Sequence, residues 1–174
     1  MDAAINGPAG RLPSTVPVGI GELYVSREPG DVLAAYALGS CVAVILYDPN
    51  IRAGGMAHIQ LPDRRGARPR GNGEPAWAYA EDGVPELISR LYLLGAVRQR
   101  LRVSLVGGAL VADPNRYFQI GRKNVLAVKR ILWEHGLIPS QQVVGGESWR
   151  TVRLHVGSGR ITVVSPTGHE ELIA

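Results

Sequence analysis

The chain has 174 residues, 45% of them hydrophobic, with a formal net charge of +4 carried by 17 arginines against 2 lysines and a single cysteine. That length and apolar content suit one domain with a sizeable core, and a lone cysteine excludes an internal disulfide, a zinc ribbon and a redox Cys-x-x-Cys pair. No stretch approaches the roughly 20 apolar residues of a membrane span, and the start lacks a basic segment followed by an apolar run, so no membrane insertion and a cytoplasmic location are expected.

Residues 1–17 carry Gly7, Pro8, Gly10, Pro13 and Pro17 without periodicity and read as a loose N-terminal tail. Residues 18–26 and 32–38 are short apolar runs bounded by Gly30 and Gly39, which predicts two strands. Residues 41–47 (C-V-A-V-I-L-Y) are continuously apolar and rich in β-branched side chains, the pattern of a strand buried on both faces. Asp48-Pro49-Asn50 supplies turn chemistry, and residues 55–61 read as the return strand.

Residues 62–75 are low in complexity, rich in Pro, Gly and Arg, and predict a surface loop. The loop holds Arg64, Arg65, Arg68 and Arg70 beside one acid, Asp63, a field that would attract an acidic partner. Val84, Leu87, Ile88, Leu91 and Leu94 recur at helical spacing over residues 78–94, and Gly95 ends that helix. Residues 101–106 predict a strand running into Gly107-Gly108.

A second helix fits residues 122–135, with Gly136 at its C-terminal cap and Pro139 beyond. Three strands close the chain at 142–144, 151–156 and 160–164. In the second of them Val152, Leu154 and Val156 face inward, and Arg153 and His155 outward. The pattern gives one domain over residues 18–165 with a C-terminal tail at 166–174. Its class is α+β: a mixed, largely antiparallel β core flanked by two main helices.

Cys41 and His58 hold the most informative arithmetic. If Tyr47 faces Arg52 across a four-residue hairpin loop, counting back sets Cys41 directly opposite His58 on one face of the sheet, with Cβ atoms about 4.5 to 5.5 Å apart. A register slipped by two residues leaves them diagonal on the same face, whereas a slip of one separates them. A thiol needs such a neighbour because the thiolate is the nucleophile, and a nearby imidazolium lowers a cysteine pKa from about 8.5 toward about 3.5 to 7.5. Gly39 and Ser40 form a small-residue approach, from which the backbone N–H groups of Ser40 and Cys41 could stabilise an oxyanion. Taken alone, a cysteine at a strand start is as well explained as an inert core thiol.

The wording around these residues narrows the reading. Leu38-Gly39-Ser40-Cys41-Val42-Ala43-Val44, Tyr47-Asp48-Pro49 and Gly54-Gly55-Met56-Ala57-His58-Ile59-Gln60-Leu61-Pro62 closely resemble the signature of the CheD family, the chemoreceptor glutamine deamidases. The resemblance continues through residues 79–94, Gly107-Gly108-Ala109, Ile120-Gly121-Arg122-Lys123-Asn124-Val125 and Val144-Gly145-Gly146. It implies a cytoplasmic cysteine hydrolase that converts glutamines on the helical cytoplasmic domains of chemoreceptors to glutamates, and that also binds a CheC-type phosphatase. Cys41 matches the family's nucleophile and His58 its histidine. The implied fold resembles that of deamidating toxins, and the basic loop gains carboxylate-rich receptors as partners.

Two departures stand out. The family's T-L-x-L-G-S-C run reads Ala35-Tyr36-Ala37-Leu38-Gly39-Ser40-Cys41 here, so Ala35 replaces the threonine of the family's triad, leaving a backbone carbonyl, Ser40 or Tyr36 to orient the histidine. Ala109-Leu110-Val111 also lacks the asparagine expected after the double glycine. A catalytically weak adaptor is therefore the alternative to the enzyme. A nucleic-acid-binding domain is disfavoured, because Phe118 is the only phenylalanine and no groove-reading motif occurs. The Gly-x-Gly pairs at 19/21, 71/73 and 157/159 read as tight turns, and His135, His155 and His169 show no ligand spacing, so neither cofactor nor metal is expected.

Overall fold

The computed structural model describes residues 14–65, 75–110 and 119–174. Its elements are β1 (Ser14–Pro17), β2 (Leu23–Ser26), β3 (Asp31–Leu38), β4 (Val42–Asp48), β5 (Ala53–Ile59), α1 (Ala80–Leu93), β6 (Arg102–Gly107), α2 (Ile120–Glu134), β7 (Gln141–Val144), β8 (Arg150–His155), β9 (Arg160–Val164) and β10 (Glu170–Leu172). They form two five-stranded sheets, ordered β1-β3-β8-β9-β10 and β2-β5-β4-β6-β7. The pairings are antiparallel except β1 with β3 and β6 with β7, which are parallel. The expected α+β class, a largely antiparallel core with two helices, is the one observed.

The continuous apolar run of β4 has a direct cause. Val42, Val44 and Leu46 pack toward the helices with Val84, Leu87, Leu91, Val128 and Leu132. Ala43, Ile45 and Tyr47 pack toward the other sheet with Leu33, Leu38, Val152 and Leu154. Successive side chains of a strand point to opposite faces, so a strand serving two cores must be apolar at every position. The resulting stack is sheet, sheet, helix layer, with β4 and β5 at its centre. Among the described residues no helix is long and apolar enough to cross a membrane.

Both expected tails are partly structured. Residues 14–17 pair with β3 as β1, Ser14 against Asp31 and Pro17 against Ala34, and Glu170–Leu172 pair with β9. These are edge strands with at most one well-covered face, so they lack the apolar signal of a buried strand; Pro17 is tolerated at such an edge. Conversely, residues 18–22 are a turn rather than part of a strand: Gly21 has φ +69°, and Glu22 Oε2 accepts the Gly19 N–H at 2.8 Å.

The β4–β5 hairpin is displaced from the expected register by two residues. Asp48 faces Ala53 and Tyr47 faces Gly54, so His58 lies opposite Ala43 rather than Cys41. The loop is Pro49 to Arg52, with Arg52 at φ +48°. Asp48 extends the strand because its fully buried carboxylate is held by Arg100 (Nε at 3.0 Å, Nη2 at 2.9 Å), Val97 N–H at 3.2 Å and Asn50 N–H at 3.0 Å. The helices fall within two residues of expectation. α2 starts at Ile120 after Gln119 in a left-handed conformation, and Gly136 at φ +67° follows its end.

Burial alone would push the Asp48 carboxyl up, but its bonds from Arg100, Val97 and Asn50 outweigh that and hold it below the usual carboxylate value. The stabilisation it supplies is therefore present above about pH 4 and lost as the pH falls below it. Asp48→Ala is expected to cost about 2 to 4 kcal/mol in urea unfolding at pH 7, a difference that shrinks toward pH 3.

Candidate active site

Cys41 immediately precedes β4 and packs, half-buried, against the cluster between the two sheets. On β5, Met56 belongs to the same cluster, and His58, two residues along, shares its face. The two-residue register shift therefore keeps Cys41 and His58 on one face, diagonal to each other, and both reach the inter-sheet layer where β4 begins and β5 ends. Cys41 retains partial access to solvent, whereas His58 is only 4% exposed.

His58 is fixed by main chain. Its Nδ1 lies 3.0 Å from the Val18 carbonyl, its N–H donates to the Glu22 carbonyl at 3.0 Å, and its carbonyl accepts the Gly21 N–H at 2.9 Å. Val18 is anchored in turn by its N–H on the Ala34 carbonyl at 2.8 Å. A carbonyl can only accept, so Nδ1 must carry the proton, which leaves the Nε2 lone pair free to act as a base.

Of the alternatives open in place of a threonine, a backbone carbonyl is the partner. Ala35 is a fully buried methyl in the inter-sheet cluster. Tyr36, the next residue on β3, is 48% exposed on the strand's other side. Val18 was not a candidate from sequence, since every residue carries a backbone carbonyl and only the fold selects this one.

Charge at the two groups follows burial. Desolvation pushes the Cys41 thiol up, against a smaller lowering by its own backbone N–H. Desolvation also pushes the His58 imidazole down, partly offset by the Val18 carbonyl and Glu22. The directions of both shifts favour a thiol and a neutral imidazole on one face at rest, unlike the preformed thiolate and imidazolium that a lowered cysteine pKa would have given.

A glycine-rich junction holds the backbone before Cys41. Gly108 N–H donates to the Cys41 carbonyl at 2.7 Å, and Ala109 N–H to the Gly39 carbonyl at 2.8 Å. Between them the side chain of Asn124, fully buried on α2, donates from Nδ2 to the Ser40 carbonyl at 2.9 Å and to the Gln60 carbonyl at 2.8 Å. Gly107 sits at φ +113°, and a Cβ there would lie 2.2 Å from the Cys41 carbonyl oxygen. Gly145 N–H and the Gly146 carbonyl tie the neighbouring bend to Gly107 and Leu110, at 2.9 and 2.8 Å.

Two arginines of the basic cluster are described, and both have acidic partners within the chain. Arg64 pairs with Asp82 and lies 4.4 Å over the Tyr79 ring, and its backbone N–H donates to Glu81. Arg65 pairs with Asp63 at 2.7 Å. Glu81 and Asp82 open α1, so counting acids within the loop alone missed them; Arg68 and Arg70 lie outside the described residues. Among the described residues no group of three or more His, Cys, Asp or Glu side chains is placed to hold a metal.

The family described as CheD chemotactic sensory transduction matches residues 60–165. The chain is 41% identical over 156 residues to a probable chemoreceptor glutamine deamidase CheD of Solibacter usitatus, covering 90% of this chain and 92% of that one. It is 44% identical over 151 residues to the protein of the same name from Syntrophotalea carbinolica, covering 86% and 93%. A matched stretch covering 90% of the 174 residues includes positions 41 and 58 wherever it begins, although the family match itself starts after them. Among solved structures, the Bacillus licheniformis hypothetical protein YfiH shares 16% identity at a TM-score of 0.39, covering 78% of this chain and 60% of that one, a likeness too distant to argue from.

Gly107→Ala would force a methyl onto the Cys41 carbonyl at a positive φ. It is expected to destabilise the fold by about 3 kcal/mol or more in thermal denaturation, because the close contact is backbone and cannot move aside.

Proposed function

Because the chain belongs to the CheD family, we propose that it is a protein-glutamine deamidase of chemoreceptors, using Cys41 as nucleophile and His58 as general base and acid. The observation that supports this most is the His58 tether: an imidazole whose Nδ1 proton is committed to Val18 keeps Nε2 available, on the face that Cys41 shares. The names of its relatives, chemoreceptor glutamine deamidases, supply the substrate class.

In the proposed reaction His58 Nε2 takes the thiol proton as Sγ attacks the side-chain carboxamide carbon, giving a tetrahedral oxyanion stabilised by the backbone N–H groups of Ser40 and Cys41. The imidazolium then donates that proton to the departing nitrogen. Ammonia leaves and a thioester joins Cys41 to the substrate. Water, deprotonated by Nε2, hydrolyses the thioester to glutamate and returns the thiol. Because thiol and imidazole start neutral, proton transfer accompanies attack rather than preceding it.

The second reading, an adaptor with little turnover that binds a CheC-type phosphatase or a receptor, is favoured by the raised Cys41 thiol and the buried methyl of Ala35. Ammonia release from a glutamine-bearing chemoreceptor cytoplasmic fragment separates the two. Cys41→Ala is expected to lower release at least roughly 10³-fold and His58→Ala roughly 10²- to 10⁴-fold. Release that is the same from native and Cys41→Ala chains would leave only the adaptor.

A depressed His58 pKa also sets the acid limb. The base form persists below the ordinary value of about 6.5, so kcat/KM should stay level from pH 8 to 6.5 and fall only beneath it. Folding stability follows the same sign: the unfolded chain binds the His58 proton first, so stability declines as the pH drops below about 6.5. An acid limb centred above 6.5 would contradict the assigned base.

A further inference from the structure

The amide of Asn124 carries an inference that rests on the deamidase reading and deepens it. The side chain is fully buried, and Nδ2 bridges the Ser40 and Gln60 carbonyls at 2.9 and 2.8 Å, while Oδ1 finds no partner among the described residues. A buried amide keeps the Ser40 and Gln60 carbonyls satisfied at the cost of its own unpaired acceptor, so its net contribution to stability is small. What the residue does supply is direction.

Peptide groups are planar and trans, so the Cys41 N–H points opposite to the Ser40 carbonyl. With that carbonyl drawn toward α2, the Cys41 N–H is turned away from the helix. Cys41 packs against the cluster between the sheets, on the side away from the helices, so donor and nucleophile serve the same side of the chain. Ala109 N–H, holding the Gly39 carbonyl, orients the preceding Ser40 N–H in the same manner. α2 can deliver Asn124 this deeply because Gly121 rests against the Gly108–Ala109 backbone, where a Cβ would lie 2.5 Å from the Ala109 carbonyl oxygen.

We propose that Asn124 is a positioning residue: it fixes the Ser40–Cys41 peptide so that the Cys41 N–H meets the oxyanion formed on the substrate carboxamide, and ties that peptide to the end of the strand bearing His58. The Gln60 bond is the second half of this role. It joins the residue before the nucleophile to the residue two beyond the base, where the β4–β5 ladder has already ended.

The test is steady-state ammonia release from the chemoreceptor fragment by full-length variants, with melting temperatures measured in parallel. Asn124→Ala is expected to lower kcat roughly 10- to 100-fold with KM within about threefold of native, because the lost donor orientation matters only once the oxyanion forms. Asn124→Ser, which retains one donor and is the deciding variant should the alanine fail to fold, is expected between the two. Val128→Ala, a buried truncation one turn further along α2, controls for destabilisation and should keep native kcat when folded. A native kcat in Asn124→Ala or Asn124→Ser, or an equal loss in Val128→Ala, overturns the proposal. A native chain without Cys41-dependent release removes the deamidase reading and this inference together, whereas an active native chain with unaffected Asn124 variants removes this inference alone.

Discussion

The hydrogen bond from His58 Nδ1 to the Val18 carbonyl governs what the site can do. It settles where the imidazole proton resides, and so which nitrogen can accept another. The acceptor belongs to a turn that is itself bonded to β3 through Val18 N–H and to β5 through Gly21 and Glu22. The orientation of the ring therefore rests on both sheets at once. An acceptor of this kind needs no particular side chain, which is how a chain with alanine at position 35 still holds its histidine in a defined tautomer.

The face shared by Cys41 and His58 was legible in the sequence, but their direct opposition was not. Side-chain direction depends only on parity along a strand, and a two-residue error preserves it. The absolute register depends on where the hairpin turn begins, and Asp48 decides that through Arg100, 52 residues away. β4 was readable because two cores demand an unbroken apolar run, whereas β1 and β10 were not, since an edge strand can keep half its side chains in water. The Val18 carbonyl left no trace in the sequence at all, and Asn124 appeared only as one letter in a family-like run.

Charge shows the same limit. Four arginines in the loop after β5 suggested an attracting field, yet the two that are described are engaged by Asp63, Glu81 and Asp82. Arg64 spans the loop and the first turn of α1, where carboxylates also complement the helix dipole. This pairing gives Arg64 a structural use, fastening the chain after His58 to the helix beneath it. Beside the His58 tether, a groove of about 530 Å³ is lined by Val18, Ile20, Tyr24 and Trp77 with Glu22, a surface that mixes apolar side chains with polar groups.

Burial at the site works in opposite directions on its two groups, and that opposition has chemical consequences. Removing water disfavours the charged form of each, so it raises the thiol and lowers the imidazole, and the resting pair is neutral. A neutral imidazole at physiological pH is a base ready to accept a proton, but a thiol sulfur on the same face is less nucleophilic than a free thiolate. In the proposed reaction the cost falls on attack, and the compensation comes from groups that stabilise charge only as it appears. Backbone N–H groups whose peptides are held by Ala109 and Asn124 suit that requirement, being rigid dipoles that need no reorganisation when the oxyanion forms. In the proposed reaction, the rigidity of the segment before Cys41 is thus the counterpart of a histidine kept neutral by burial.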